Sequence, residues 1–425
     1  MRMPRWPWLT GLLSRHPLAR LGPGLITGVA DDDPSGIATY AQAGAAYGYG
    51  MLWTMPLAYP LMSAVQSMAA QLGRVTGKGL AANIKSVFPG WILKALVALL
   101  LLANVLNIAA DIAAMGEAAE LVTGFGRQLM TTLFVAATLA LQIFVPYHRY
   151  VVFLKWFTAA LLSYAALLFV VHVPWGTALA ATIIPRFHPD WTAATMIVAV
   201  FGTTISPYLF FWQASEEVED MRGAPALLDD TRHAASELGR IRWDTWSGML
   251  YSDLSSYFII LATAVTLHVA GVTRIDTAAQ AASSLEPLAG RFATLLFAIG
   301  ILGVGMIGVP VLAGSAGYAM CEAMDWRWGL ERTAKDARAF YAVITISVLL
   351  ALVIQYLPMS PMRALFWSAV VNGIVAVPLI VVLVLLVSKA SVMGPFVTTK
   401  PIRWLGWAAA AIMAAASIGT FAGLF

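Results

Sequence analysis

"VADDDPSGIA", residues 29–38, places three consecutive aspartates, a proline and a glycine inside a run that is otherwise apolar from residue 21 to residue 52. An aspartate at the centre of a bilayer costs roughly 2.5–3.5 kcal/mol, even on the lenient insertion scale. The stretch therefore requires a water-filled cavity, a bound cation or protonation. A cation site offsets the cost most directly.

The composition identifies the class of protein. Of the 425 residues, 60% are hydrophobic and 11% are charged, whereas soluble domains have roughly 45–50% apolar and about 25% charged residues. The chain is therefore predicted to be an all-α integral membrane protein within a lipid bilayer. Its single cysteine, Cys321, excludes an intramolecular disulfide and a cysteine-based metal cluster.

A hydropathy window of about 19 residues predicts eleven transmembrane helices. They cover residues 21–49, 51–72, 91–122, 129–146, 149–174, 191–217, 246–270, 291–324, 338–357, 362–388 and 402–425.

Lysine and arginine residues fall unevenly on the two sides of these spans. With the amino terminus inside, 21 of the 26 lie in inner loops and flanks and 5 lie outside. Positive residues collect on the cytoplasmic side, so we predict a cytoplasmic amino terminus, an outer carboxyl terminus and a bacterial-type plasma membrane. Because topology explains the net charge of +4, the charge indicates no nucleic-acid partner.

A long polar stretch, residues 216–244, divides the chain into two halves. The predicted units are a basic, amphipathic cytoplasmic arm without signal-peptide features at 1–20, a first five-helix repeat at 21–174, a second at 191–388 and a last helix at 402–425. Between the repeats, region 175–245 includes the broken sixth helix, 191–217, and a cytoplasmic loop, 218–245.

Each half begins with a helix that is interrupted by proline. The interruptions read ADDDPSG around Pro34 and GTTISPY around Pro207. Proline removes a backbone donor and clashes with the preceding turn, so both helices are expected to unwind there. Paired breaks at corresponding positions of two halves indicate an inverted-repeat transporter with its site near the midplane.

Unwound backbone at membrane depth leaves carbonyl oxygens available as ligands. Asp33, which precedes the proline, is the first candidate metal ligand, and Thr203 and Ser206 flank the second break. Asp31 and Asp32 point in other directions from Asp33 if the helical turn persists, so at least one is expected to line the inner access path. Oxygen donors suit magnesium, calcium or manganese.

Two further polar residues lie in the predicted spans. Asn372 is in the middle of the tenth span, where it is either a ligand or an interhelical hydrogen-bonding residue. Gln213, two turns after the second break, is a weaker candidate.

At these residues the chain resembles the NRAMP family of divalent-metal transporters, and more closely its magnesium-transporting branch. The resemblance rests on GPGLITGVADDDPSGIATYAQAGAAYGYG (22–50), ADIAAMGEAAELVTG (110–124), GTTISPYLFFWQ (202–213) and GVPVLAGSAGYAM (308–320). It implies the LeuT-type fold, with two inverted five-helix repeats and metal held between helices 1 and 6.

The chain departs from the family pattern at the ligands. The pattern Asp-Pro-Gly-Asn keeps its aspartate as Asp33, but its asparagine ligand has become Gly36. In helix 6, Thr203 takes the place of an alanine whose carbonyl binds metal, and Ser206 and Tyr208 replace a methionine and a histidine. Loss of the thioether disfavours manganese and iron, and a roomier pocket suits a partly hydrated magnesium ion.

The resemblance also bears on proton coupling. In transition-metal members it involves the helix 6 histidine and an Asp/Glu pair on helix 3, of which this chain keeps only Asp111, with Ala114 at the glutamate position. We therefore expect import of magnesium by alternating access without proton coupling. The alternative is a proton-coupled transporter of manganese or of divalent metals broadly.

Other classes of protein fit less well. A sodium-coupled organic-solute symporter would bind a substrate carboxylate that three aspartates repel, and neither HExxH nor GxSxG occurs, so no enzymatic activity is expected. A metal sensor that has lost transport is a further rival. The expected partner is the transported ion, with no resident cofactor and a monomeric transport unit.

Overall fold

The computed structural model describes residues 23–145, 160–185, 190–221, 223–356 and 358–422, and their regular structure is helical. The first part contains α1 (Pro23–Asp31), α2 (Pro34–Tyr47), α3 (Thr54–Thr76), α4 (Leu80–Val87), α5 (Gly90–Thr123), α6 (Arg127–Phe144), α7 (Leu162–Leu167) and α8 (Trp175–Ile183). The second part contains α9 (Trp191–Thr204), α10 (Pro207–Asp220), α11 (Ala234–Thr263), α12 (Ala278–Ser283), α13 (Glu286–Ala289), α14 (Ala293–Ala323), α15 (Arg338–Ile354), α16 (Pro361–Ser388), α17 (Ala390–Met393) and α18 (Lys400–Ala422).

Seven helical segments among the described residues are long and apolar enough to cross a membrane. They are Gly90–Thr123, Arg127–Phe144, Trp191–Asp220, Ala234–His268, Glu286–Ala323, Pro361–Ser388 and Lys400–Ala422. These segments agree with a multi-pass membrane protein. The number of eleven spans stays a prediction.

The break in the first predicted span is confirmed. Helix α1 ends at Asp31 and α2 begins at Pro34, with Asp33 in extended conformation between them (φ −70°, ψ 172°). The Asp33 carboxylate accepts the backbone N–H of Gly36, so it caps α2. Proline is favourable at the first helical position because its missing N–H is unpaired there in any helix.

The break in the sixth predicted span is also confirmed. Helix α9 ends at Thr204 and α10 begins at Pro207, and Ile205 and Ser206 both leave helical geometry. The Ser206 hydroxyl donates to the carbonyl oxygens of Gly202 and Thr203, at 2.9 and 2.7 Å. These bonds partly satisfy backbone acceptors that the break has freed.

Helix α11 packs along both parts of the first broken helix. A Cβ atom at Gly28 would lie 2.2 Å from the carbonyl oxygen of Gly248, and one at Gly44 would lie 2.1 Å from Oγ1 of Thr263. Glycine at these two positions therefore allows the close approach that fixes both half-helices against one support.

One predicted boundary is wrong. The loop expected at 218–245 is shorter, since α11 begins at Ala234. Charged residues in the first turns of α11 pair with neighbouring side chains, as in the Arg240–Glu217 ion pair at 2.6 Å. Ile241, in the same part of the helix, is buried. A hydropathy window detects the membrane-embedded part of a helix and misses such a polar extension.

Some predictions fall wholly or partly outside the described residues. The amino-terminal arm, 1–20, lies outside them, as does much of the predicted fifth span, 149–174. The described end of that span contains the short α7, and α8 lies where a connection was expected, starting after Pro174.

Candidate metal-binding site

The two helix breaks meet in the interior of the protein. The hydroxyl of Ser35 lies 3.3 Å from Oγ1 of Thr203, across the breaks. The Tyr208 hydroxyl donates to the carbonyl oxygen of Ala30 at 3.2 Å. Two segments that are 168 residues apart in sequence thus bring their unwound backbone and polar side chains to one place.

Asp33 lies at the centre of this meeting point and is buried, with 1% of its surface exposed. Its Oδ1 accepts the Ser35 hydroxyl at 2.6 Å and the N–H of Gly36 at 2.9 Å. Its Oδ2 accepts hydrogen bonds from Nδ2 of Asn107 at 3.0 Å and from the hydroxyl of Tyr208 at 3.1 Å. Four donors therefore stabilise a carboxylate that burial would otherwise penalise.

Gly36 and α14 pack closely against the two breaks. A Cβ atom at Gly36 would lie 3.3 Å from Oγ1 of Thr203, so a larger side chain at 36 would crowd the second break. Helix α14 approaches from another side, since a Cβ atom at Gly308 would lie 3.0 Å from Cβ of Asp33. The carbonyl of Thr203 accepts the hydroxyl of Ser206, which a cation would have to displace to use that oxygen.

Asp31 and Asp32 face α11 and form a separate group beside the site. The hydroxyl of Ser252 lies 2.7 Å from Oδ2 of Asp31 and 2.9 Å from Oδ1 of Asp32. A hydroxyl has one proton to donate, and Oδ1 of Asp31 and Oδ2 of Asp32 have no hydrogen-bond partner among the described residues. Asp33 and the pair Asp31 and Asp32 therefore have two different sets of contacts.

Asn372 is fully buried on α16, and in the described part of the chain neither atom of its amide has a hydrogen-bond partner. Ser368 lies one helical turn earlier on the same face, and its hydroxyl donates to Oδ1 of Asn107 at 2.7 Å. The face that carries Asn372 is therefore turned towards α5, whose Asn107 touches Asp33.

Gln213 is placed away from Asp33. Its Oε1 accepts the hydroxyl of Thr27, and its Nε2 lies 3.5 Å from Oε1 of Glu217. Thr27 is six residues before Asp33, or about 9 Å along a helix. Gln213 thus joins α10 to α1 towards the predicted inner end.

Sequence reasoning missed two residues at this site, Asn107 and Ser252. Asn107 stands in the apolar helix α5 one turn before Asp111, so a polar pair on one helix face was the available signal. Ser252 belongs to the run SDLSS, 252–256, in which nothing distinguishes one serine from the next.

A cavity of about 810 Å³ opens at the predicted outer end, and we call it the vestibule. Its lining includes Gln42, Tyr47, Trp191, Thr195, Asp276 and Arg363. It reaches Ala38, which is four residues, or about 6 Å of helix, beyond Pro34. The vestibule thus leads to the buried site from one side.

At the predicted inner end, a group of polar contacts holds the same helices together, and we call it the inner cluster. The N–H of Gly24 donates to Oδ2 of Asp244 at 2.7 Å, and Arg240 pairs with Glu217, whose side chain is fully buried. The inner cluster consists of Gly24, Asp244, Arg240, Glu217, Arg74 and Glu237, the last two paired at 3.3 Å. These contacts hold the predicted inner ends of α1, α10 and α11 together.

The donor atoms at the breaks favour a hard cation. Carboxylate, hydroxyl, amide and backbone carbonyl oxygens are the ligands that alkaline-earth ions prefer, whereas thioether and imidazole select softer metals. The side chains described as bonding to Asp33 contribute no sulfur or imidazole nitrogen. The donor set at the breaks therefore suits a hard divalent cation.

Proteins with similar sequences are described as divalent metal cation transporters. The chain is 26% identical over 417 residues to "Divalent metal cation transporter MntH" of Granulibacter bethesdensis, an alignment that covers 96% of this chain and 87% of that protein. It is 29% identical over 364 residues to the protein of the same description in Verminephrobacter eiseniae, covering 81% and 80%.

Solved structures share the architecture. The Eremococcus coleocola manganese transporter matches with a TM-score of 0.73 at 18% identity, covering 100% of this chain and 89% of that one. The inward-facing conformation of Mhp1 matches with a TM-score of 0.54 at 13% identity, covering 94% and 90%, which supports the LeuT-type fold. The family model described as natural resistance-associated macrophage protein-like matches residues 24–422, and the chain belongs to this Nramp family.

Proposed function

We propose that this protein imports magnesium, partly hydrated, by alternating access and without a coupled proton. As a member of the Nramp family it is a membrane transporter of divalent metal cations and not an enzyme. The observation that carries the proposal is the buried Asp33 carboxylate at the meeting point of two helix breaks, where the hydroxyl oxygens of Ser35 and Thr203 also lie.

Selectivity for magnesium is supported by the oxygen donors at the site and by the side chain that it lacks. Gly36 has no side chain to offer, and Ser206 and Tyr208 provide hydroxyl groups. Magnesium dehydrates reluctantly and usually keeps several waters. A divalent ion gains about 4.6 kcal/mol for each 100 mV when it moves inward, so the membrane potential is a sufficient driving force.

The site set proposed for the ion is Asp33 and Asn372, the backbone and hydroxyl oxygens of Thr203 and Ser206, and the backbone at Gly36. Asp31, Asp32 and Gln213 line the access path on the inner side. The organisation proposed for the chain is eleven spans with two inverted repeats, the amino terminus cytoplasmic and the carboxyl terminus outside, in a plasma membrane and as a monomeric transport unit.

The experiment is magnesium uptake into proteoliposomes with an internal pH dye and with manganese or calcium as competitor. Asp33→Asn is the sharpest variant, because asparagine keeps the cap of α2 while it removes the charge. We expect uptake to fall by at least about 10-fold, the loss of roughly 1.4 kcal/mol of ion binding. Asp336→Asn, in a polar loop, serves as the control and is expected to transport normally.

A second function is favoured by a specific observation. The solved relative from Eremococcus coleocola is described as a manganese transporter, and this chain keeps a buried Asp111 on α5. Strong preference for manganese together with acidification of the vesicle lumen would identify a proton-coupled manganese transporter. Magnesium uptake with stoichiometric proton flux would equally contradict the uncoupled mechanism.

A further inference from the structure

The two oxygens of Asp33 have different kinds of partner. Oδ1 accepts the backbone N–H of Gly36 and the hydroxyl of Ser35, so it is committed to the cap of α2. Oδ2 accepts only side chains from other helices, Asn107 at 3.0 Å and Tyr208 at 3.1 Å. Because side chains can rotate while a cap is fixed by the backbone, a cation reaches Asp33 most readily at Oδ2.

A cation bound at Oδ2 of Asp33 would change the favourable orientation of the Asn107 amide. The amide nitrogen that now donates to Oδ2 would point at a positive charge, whereas the amide oxygen of the same side chain would be attracted to it. We propose that Asn107 turns its amide when the ion binds and becomes a metal ligand through Oδ1. This inference rests on the proposed function, and it names the ligand that replaces the side chain absent at Gly36.

The surroundings of Asn107 allow this rotation without leaving a buried group unpaired. The Ser368 hydroxyl lies 2.7 Å from Oδ1 of Asn107 and 2.8 Å from the carbonyl oxygen of Leu365. A hydroxyl both donates and accepts. Before rotation Ser368 donates to Oδ1 of Asn107, and after rotation it donates to Leu365 and accepts Nδ2 of Asn107.

The same helix offers a matched control. Asn104 lies three residues before Asn107 and is also fully buried, but its amide donates to the carbonyl oxygen of Leu312 at 2.9 Å and to the hydroxyl of Ser315 at 2.8 Å. These contacts join α5 to α14. Asn104 therefore shares the residue type, burial and helix of Asn107 but has contacts that hold two helices together.

The rival role for Asn107 is that of a positioning residue, which donates to Asp33 and never touches the ion. Asn107→Asp separates the two roles. An ionised aspartate has no N–H to donate, so a positioning role predicts loss of binding, while a ligand role predicts that the carboxylate oxygen binds the ion at least as tightly as the amide does.

The experiment is calorimetric titration of the purified full-length protein with magnesium and with manganese. It compares wild type with Asn107→Leu, Asn107→Asp, Asn104→Leu and Asp33→Asn, and thermal unfolding identifies variants that fail to fold. We expect Asn107→Leu to weaken magnesium binding by at least about 10-fold, which is the loss of roughly 1.4 kcal/mol of ion binding. Asn107→Asp and Asn104→Leu should retain it. If Asn107→Leu does not fold, Asn107→Ala replaces it.

The outcomes distinguish failure of this inference from failure of the proposed function. Loss in both Asn107→Leu and Asn107→Asp would assign the residue a positioning role and overturn the inference, as would retained binding in both. In either case loss in Asp33→Asn leaves the proposed site standing. Retained binding in Asp33→Asn would contradict both the proposed site and the inference.

Discussion

At the scale of single residues, the three aspartates that adjoin one another in sequence have different surroundings. Asp33 has four donors from three helices, whereas Asp31 and Asp32 share the single hydroxyl of Ser252. The sequence predicted a special role for Asp33 because it precedes the proline. Two of these donors, Ser35 and Gly36, are neighbours in sequence, whereas Asn107 on α5 and Tyr208 on α10 are brought near only by the folded chain.

We predict that Ser252→Ala destabilises the protein. Its removal leaves Asp31 and Asp32 without their shared donor, and an unsatisfied buried polar group costs about 1–3 kcal/mol. Thermal or chaotrope unfolding of the purified protein in detergent measures the change. Ser417→Ala is the control, because its hydroxyl donates only to the carbonyl of Met413 within α18; an equal loss in both variants would contradict this role for Ser252.

At the scale of elements, the breaks depend on more than the presence of proline. Pro60, Pro310 and Pro378 lie inside continuous helices, whereas Pro34 and Pro207 begin new ones. The two breaking prolines follow residues that occupy extended backbone. The carbonyl of Ala30 accepts from Tyr208 of the facing broken helix, whereas those of Gly202 and Thr203 accept from Ser206 within their own break. Corresponding positions in two halves of the sequence were enough to select them, although the cross-contacts were not predictable.

We predict that Gly28→Ala separates α1 from α11. The added Cβ atom would lie 2.2 Å from the carbonyl oxygen of Gly248, so the helices must move apart, and overpacking of this kind costs typically 1–3 kcal/mol. Unfolding measurements and the yield of folded protein report the effect.

Gly239→Ala is the matched control for that change. Gly239 lies in α11, the helix against which Gly28 packs, and a Cβ atom there would have no heavy atom within 4 Å among the described residues. Alanine in place of glycine within a helix, where nothing obstructs the added Cβ atom, should stabilise the helix by roughly 0.5–1 kcal/mol. If Gly28→Ala were as benign as Gly239→Ala, close packing at α1 would not be essential.

At the scale of the whole molecule, a cavity lies towards one end of the site and a group of polar contacts lies towards the other. The vestibule extends to Ala38, while Gly24, Glu217 and Arg240 belong to the contacts of the inner cluster. Transport by alternating access requires that these contacts separate. A buried ion pair is a suitable element for such a step, since it holds strongly when complete and costs about 3–5 kcal/mol when one partner is removed.

We predict that Arg240→Gln opens the inner side by leaving Glu217 buried and unpaired. Thr27→Cys, which lies beside the inner cluster, should then react with an impermeant thiol reagent from the inner face, while it stays protected when Arg240 is present. Thr195→Cys, on the vestibule, should react from the outer face. The native Cys321 is buried and contributes little background.

Arg232→Gln is the control for the inner opening. Arg232 pairs with Asp230 at 2.6 Å, but its side chain is 82% exposed, so solvent screens that pair. Equal labelling of Thr27→Cys in the Arg232 and Arg240 variants would show that the inner cluster does not control access.

Local patterns along the chain predicted the membrane class, the two broken helices and a metal ligand at Asp33, because hydropathy, proline geometry and the cost of buried charge are local properties. They also predicted oxygen ligands at Thr203 and Ser206, since these stand within the second break. Tertiary structure alone decided that Asn107 and Tyr208 hold Oδ2 of Asp33, that Ser252 serves the other two aspartates and that Gln213 lies towards the inner end. The reason is physical: which side chains share a buried space depends on how helices distant in sequence pack, and hydropathy carries no record of that packing.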